Sequence, residues 1–189
     1  MCIRDSIVTE HGFDFNIGGT NSGGPNGMNP YIAQQNNNGV WVFASAHGPE
    51  LDVYAQPYSQ QYIDDNLLPY ANGNDPTTLL NTPKHLSDAM ADATVDFLAD
   101  RVADNEPFFV NVAFNAVHAV VNSRPDLEAK YVPLGTSSNP QHDDPAYAGL
   151  LEGMDQAIGR IIDFVDQNGL SGNTMIVFVS DNGLSLIHI

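Results

Sequence analysis

Two apolar runs bracket an amphipathic helical stretch, and that order constrains the fold more than any other feature. Phe108-Phe109-Val110-Asn111-Val112-Ala113-Phe114 and Thr174-Met175-Ile176-Val177-Phe178-Val179 are rich in β-branched and aromatic residues and lack a polar alternation. Runs of this kind read as strands buried on both faces, the type found in parallel sheets. Between them, Asp144-Pro145 has the chemistry of an N-cap followed by proline at the first helical position. Tyr147, Leu150, Leu151, Met154, Ile158, Ile161, Ile162 and Val165 then recur at helical period, and Gly169 supplies the stop. Gly159 inside that helix costs about 1 kcal/mol relative to alanine, which we ascribe to close packing on a sheet. Strand, helical connection and strand form a βαβ unit, whose default is parallel pairing with a right-handed crossover. The expected fold class is α/β with a parallel sheet.

Upstream, Thr82-Pro83 repeats the capping device, and Leu86, Met90, Ala93, Phe97, Leu98 and Val102 predict a helix from Pro83 to Ala103. Glu106-Pro107 ends it. From His11 to Thr78 the chain is rich in Gly, Asn, Pro, Gln and Tyr, with turn sequences such as Asn36-Asn37-Asn38-Gly39. Val40 to Phe43 reads as one short strand. The rest reads as long ordered loops anchored by Trp41, Tyr54, Tyr58 and Tyr62.

Charge narrows the function classes. Asp and Glu number 23 against 6 Lys and Arg, for a net charge of −17. Binding to nucleic acid or to an anionic membrane surface needs a basic footprint, so neither is expected as a partner. No apolar run approaches the roughly 18 residues a spanning helix needs.

The two ends look foreign to the rest. Met1-Cys2-Ile3-Arg4-Asp5-Ser6 can be written ATG TGT ATA AGA GAC AGC. The reverse complement of ATGTGTATAAGAGACAG, extended by one C, reads CTG TCT CTT ATA CAC ATC. That encodes Leu184-Ser185-Leu186-Ile187-His188-Ile189. Both ends therefore match one short DNA in opposite orientations, resembling a transposase adapter used in sequencing libraries. The expected organisation is an adapter-derived scar at 1–6, an incomplete domain at 7–183, which the resemblance described below implies to be catalytic, and a second scar at 184–189. The single cysteine, Cys2, falls in the first scar.

In parallel sheets, functional groups gather beyond the carboxyl ends of strands. Asn115-Ala116-Val117-His118 follows the first predicted strand and Ser180-Asp181-Asn182-Gly183 the second. If the strands are near neighbours, His118 and Asp181 share a rim. Asp181 and Asn182 together offer hard oxygen ligands, which suit calcium or magnesium better than zinc. His142-Asp143-Asp144 reads as a helix cap with dipole-favoured acids. His11 and Asp14 read as loop anchors, His47 and His85 carry no evident partner, and Asp100, Asp104 and Glu106 read as a solvated face.

These pieces, in this order, resemble the sulfatase family within the alkaline-phosphatase-like superfamily. His11 to Gly19 is similar to the segment after the family's Gly-Lys-x-His motif, and Leu86-Ser87-Asp88 to its Leu-Thr-Asp helix. Pro107 to His118 resembles the strand ending in the active-site histidine, with Val117 where the family usually has proline. Tyr147 to Ile161, then Asn173 to Gly183, resembles the stretch leading into the calcium ligands. The resemblance implies part of an alkaline-phosphatase-like parallel-sheet sandwich and a sulfuric ester hydrolase. It implies His118 as catalytic, hydrogen-bonded to the sulfate or leaving-group oxygen, and Asp181 and Asn182 as calcium ligands. It also implies a formylglycine nucleophile made in a Cys-x-Pro-Ser-Arg motif, which this chain lacks, so the piece as written is expected to be inactive. The implied partner is a sulfated small molecule or polysaccharide, and the implied location is the periplasm or outside the cell. Phosphodiesterases and phosphonate hydrolases of the same superfamily are the alternative; they place Asp-His where this chain has Asp181-Asn182, and asparagine favours a hard ion over zinc. A non-catalytic acidic calcium- or carbohydrate-binding module would need acidic loops at fixed period, and none occurs.

Overall fold

The computed structural model describes residues 9, 12–18, 31–43, 48–67, 74–118, 120–134 and 144–180. Four α-helices dominate it: α1 (Gln60–Asn66), α2 (Leu86–Ala103), α3 (Pro125–Tyr131) and α4 (Pro145–Gln167). Strands β1 (Gln34–Gln35) and β2 (Trp41–Val42) pair antiparallel, with Gln34 opposite Val42 and Gln35 opposite Trp41. Tight 3-10 turns occupy Pro49–Tyr54, Pro76–Leu79 and Val132–Leu134. Among the described residues, no helix is long and apolar enough to cross a membrane.

Helix α4 begins as its sequence predicts. The Asp144 carboxylate accepts from the backbone N–H groups of Ala146 and Tyr147 at 2.9 and 3.2 Å, and Pro145 opens the first turn. Gly169 takes the left-handed conformation, with φ at 70°, that ends a helix. Its inward face is not the large apolar stripe alone. Gly149, Leu150, Gly153, Ala157 and Val165 are buried, whereas Leu151 is 45% exposed. Small residues at Gly149 and Gly153 let α4 approach α3 closely, a role that hydrophobic periodicity does not register. A Cβ on Gly149 would stand 2.9 Å from Ser123 Oγ and 3.0 Å from the Glu128 backbone nitrogen. At Gly159 nothing lies within 4 Å, so close packing does not explain that glycine in this structure.

Helix α2 starts later than Thr82-Pro83 predicts. His85 is the N-cap, and its Nδ1 accepts from Ser87 N–H at 3.2 Å. The helix packs Leu86, Ala89 and Ala93 against Ala33, Phe43, Leu51 and Ala55, with Trp41, Tyr54 and Met90 at the edge. A second apolar cluster gathers Tyr58, Ile63, Leu67 and Leu79. The tyrosine and tryptophan anchors expected in the loop-rich half therefore do hold it to the helices.

Between α2, α3 and α4 lies a buried ionic network. Arg124, 1% exposed, donates from Nη1 to Asp88 Oδ2 at 3.2 Å and from Nη2 to Asp126 Oδ2 at 2.8 Å. The Tyr58 hydroxyl donates to Asp88 Oδ2 at 2.5 Å. Arg160 on α4 pairs with Asp92 and stands 3.6 Å from Asp88, while Lys84 reaches Asp92 at 3.3 Å. Burial by itself would raise the Asp88 carboxyl, but Arg124, Arg160 and the Tyr58 hydroxyl hold it below its usual value of 3.8. Burial pulls the Lys84 ammonium down, against the opposing pull of Asp92 and Asp88.

The two apolar runs depart most from expectation. Residues 106–115 and 174–180 form neither helix nor strand and join no ladder among the described residues. In the first run exposure alternates, with Phe109 at 77%. In the second, Met175, Val177, Phe178 and Val179 are all at least 70% exposed. Neither strand is buried on both faces, and the parallel pairing expected of a βαβ unit is not seen. Two isolated strands cannot satisfy their own backbone groups or cover two faces; a self-supporting sheet needs three or more.

Two stability predictions follow from this packing. Gly149→Ala forces Ser123 or the α3 backbone to shift and should cost about 1–3 kcal/mol, whereas Gly159→Ala should gain up to about 1 kcal/mol; urea midpoints of the two variants will move in opposite directions. Because the Asp88 carboxyl titrates lower folded than unfolded, the unfolded chain takes up that proton first as pH falls. Its contribution is full above about pH 4 and is lost as pH drops through the folded value. Asp88→Asn should cost up to about 3–5 kcal/mol at neutral pH by leaving the buried Arg124 with Asp126 as its remaining carboxylate partner, and acid titration followed by circular dichroism should show a shallower pH dependence than the parent.

Candidate active site

His118 sits in an exposed turn that follows the first apolar run. Its backbone N–H donates to the Asn115 carbonyl at 2.9 Å, and the Ala116–Val117 peptide inside the turn is cis. The turn is held from beneath. The Tyr31 hydroxyl lies 2.9 Å from the Asn115 carbonyl oxygen and 2.6 Å from that of His118, donating toward both. Burial raises the Tyr31 hydroxyl to about 12, so it remains a donor across the physiological range.

Tyr31 is in turn fixed by the start of α2. Its ring stacks on His85 with centroids 5.7 Å apart and planes 10° from parallel. The Leu86 N–H donates to the Tyr31 carbonyl at 2.7 Å, and Ile32 bridges His85. His85 Nε2 lies 3.2 Å from the Asn122 carbonyl. With Nδ1 accepting from Ser87, the ring nitrogens take the neutral Nε2–H tautomer. Burial lowers the affinity of this imidazole for a second proton, consistent with that form. His85 N–H also donates to the Tyr58 hydroxyl at 3.0 Å, which links the stack to Asp88 and Arg124. The segment from Asn115 to Asn122 is thus gripped at two points by one aromatic pair.

The other residues singled out from sequence fare unevenly. Asp181 and Asn182 lie outside the described residues, as do His11, His47, His142 and Asp143, so the shared rim of His118 and Asp181 falls there too. Asp14 is exposed, and Asp144 is the cap of α4. Arg101 pairs with Asp104 and Glu106, the solvated face expected. His85, which shows no partner in sequence, is a cap and a loop anchor. Tyr31 was not singled out at all; it lies just past a glycine-rich stretch of sequence with no periodicity to mark it. Among the described residues no group of three His, Cys, Asp or Glu side chains is placed to hold a metal ion. The cavity between α1 and the 76–79 turn, about 320 Å³, is lined by none of the residues expected to do chemistry.

Known proteins give the arrangement its context. Residues 9–188 match the family model described as Sulfatase. A Sulfatase of Formosa agariphila is 39% identical over 163 residues, covering 82% of this chain and 29% of that protein. The N-acetylgalactosamine-6-sulfatase of Sus scrofa is 27% identical over 143 residues, covering 76% of this chain and 25% of its own length. The crystal structure of Ps i-CgsB aligns over 50% of this chain and 20% of its own, at 22% identity and a TM-score of 0.41. The chain spans less than a third of the length of the curated relatives it matches. With nearly all of its residues inside the family model and a relative at 39% identity, this chain belongs to the sulfatase family.

Proposed function

We propose that the chain is the middle of a sulfuric ester hydrolase whose substrate is a sulfated carbohydrate and whose work is done in the periplasm or outside the cell. Family membership carries the reading, and it fits the alkaline-phosphatase-like fold. Several relatives are named for a sulfated amino sugar, which supports a carbohydrate substrate. On this reading the exposed runs at 107–114 and 174–179 are strands of a larger parallel sheet, and residues 1–6 and 184–189 are adapter-derived.

His118 is the group of this chain that acts on the ester. Its turn is solvent-facing while the backbone beneath it is fixed, so the imidazole meets a bound ester without reorganising its support. There it hydrogen-bonds the sulfate or supplies a proton to the departing alcohol oxygen, which needs one as the S–O bond breaks. When present, formylglycine supplies the nucleophile; no Cys-x-Pro-Ser-Arg occurs in this sequence. Calcium would fall to Asp181 and Asn182, whose oxygens suit a hard ion but supply only part of a shell of about six to eight. Among the described residues no group of three His, Cys, Asp or Glu side chains is placed to complete it.

The gene upstream of Ile7 should encode Cys-x-Pro-Ser-Arg or its serine form. The protein expressed from the intact gene should hydrolyse sulfated N-acetylgalactosamine, and His118→Ala should lower its kcat by about 10²–10⁴. The 189-residue chain alone should give no sulfate release by ion chromatography. Turnover by that chain, or full activity of His118→Ala, overturns the corresponding part of the reading.

A further inference from the structure

We propose that Tyr31 is a positioning residue for His118, its hydroxyl clasping the turn that carries the histidine while its ring is locked against His85. This rests on the reading of His118 as the group that acts on the ester.

Three observations carry it. First, one hydroxyl serves both ends of a single turn, at 2.9 Å from the Asn115 carbonyl and 2.6 Å from that of His118. The partners are backbone atoms, so the contact fixes where the chain runs and not merely one rotamer. Second, Tyr31 is 1% exposed and held in two ways: by the His85 stack, and by the bridge of Ile32 to His85, in which Leu86 N–H donates to the Tyr31 carbonyl. A donor so restrained loses little freedom on making its bond. Third, the same stacked pair grips the far end of the segment through His85 Nε2 and the Asn122 carbonyl at 3.2 Å. The exposed turn therefore stands on a buried base that runs back through Tyr58 to Asp88 and Arg124. A catalytic group must be held to a fraction of an ångström, and exposed turns rarely achieve that unaided.

The test uses the enzyme from the intact gene. Tyr31→Phe keeps the ring, its stack on His85 and the backbone bond from Leu86, and removes only the hydroxyl. Amide exchange at 115–118 should then accelerate up to about tenfold, the upper range for a lost hydrogen bond, with α2 and α4 unchanged. kcat should fall about tenfold with KM little altered. In a His118→Ala background the same substitution should cost nothing further, because Tyr31 acts only through His118. An equal loss of kcat in both backgrounds would mean a general structural role and would overturn the proposal, as would wild-type kcat in Tyr31→Phe. If His118→Ala itself turns over at the parental rate, the functional reading fails and the proposal with it. If His118→Ala is impaired and Tyr31→Phe is not, the proposal alone fails.

Discussion

Arg124 is the residue on which the described structure turns. A guanidinium with 1% exposure has lost its hydration, and only an arrangement that meets its donors can hold it there. Asp88 and Asp126 do so from two different elements, α2 and α3, and Asp126 adds a second contact to Nε at 3.1 Å. Arg160 brings α4 into the same network through Asp92 and Asp88. A shift of register between these helices would leave a buried charge unpaired, and an unpaired buried charge costs about 3–5 kcal/mol. The network therefore specifies how the three helices meet.

That specification reaches the candidate active site through short contacts. The Tyr58 hydroxyl touches both Asp88 and the His85 N–H, so the ionic network is bonded directly to the N-cap of α2. His85 and Tyr31 then translate the position of the cap into the position of the loop from Asn115 to Asn122. The route uses one buried carboxylate, two tyrosines and a neutral histidine, and it ends at an exposed imidazole.

How much of this was legible in the sequence depended on whether the signal was local. Asp144, Pro145 and Gly169 act through their own neighbours, and they marked the ends of α4 correctly. His118 stands out in the sequence because it follows an apolar run, and that too is a local signal. The start of α2 was misread because Thr82-Pro83 looks like a cap, while the true cap, His85, is an unusual residue for that position. Gly149 and Gly153 form the close face of α4, yet a pattern built on large apolar residues passes over them. Tyr31 and Asp88 matter through partners far along the chain, Tyr31 meeting residues 84 and 87 positions away, and no local pattern encodes such pairings. The apolar runs read as strands because their composition is that of strands. Their burial depends on a ladder of neighbours, a property of the sheet and not of the run.

Charge gives the last constraint on the chemistry. A net charge of −17 leaves few cations to meet an anionic ester, and those the structure describes are already engaged. Lys84, Arg124 and Arg160 are committed to carboxylates in the interior, Arg101 to Asp104 and Glu106, and Lys130 to Glu152. Arg4 lies outside the described residues. A sulfuryl group in transfer needs positive charge aimed at its oxygens, because that stabilisation is the largest single contribution to such reactions. Basic side chains already neutralised by carboxylates cannot supply it without breaking the contacts that hold the helices together. On the reading proposed above, positive charge aimed at the sulfuryl oxygens comes from elements other than the described helices, because every described Lys and Arg side chain already meets a carboxylate.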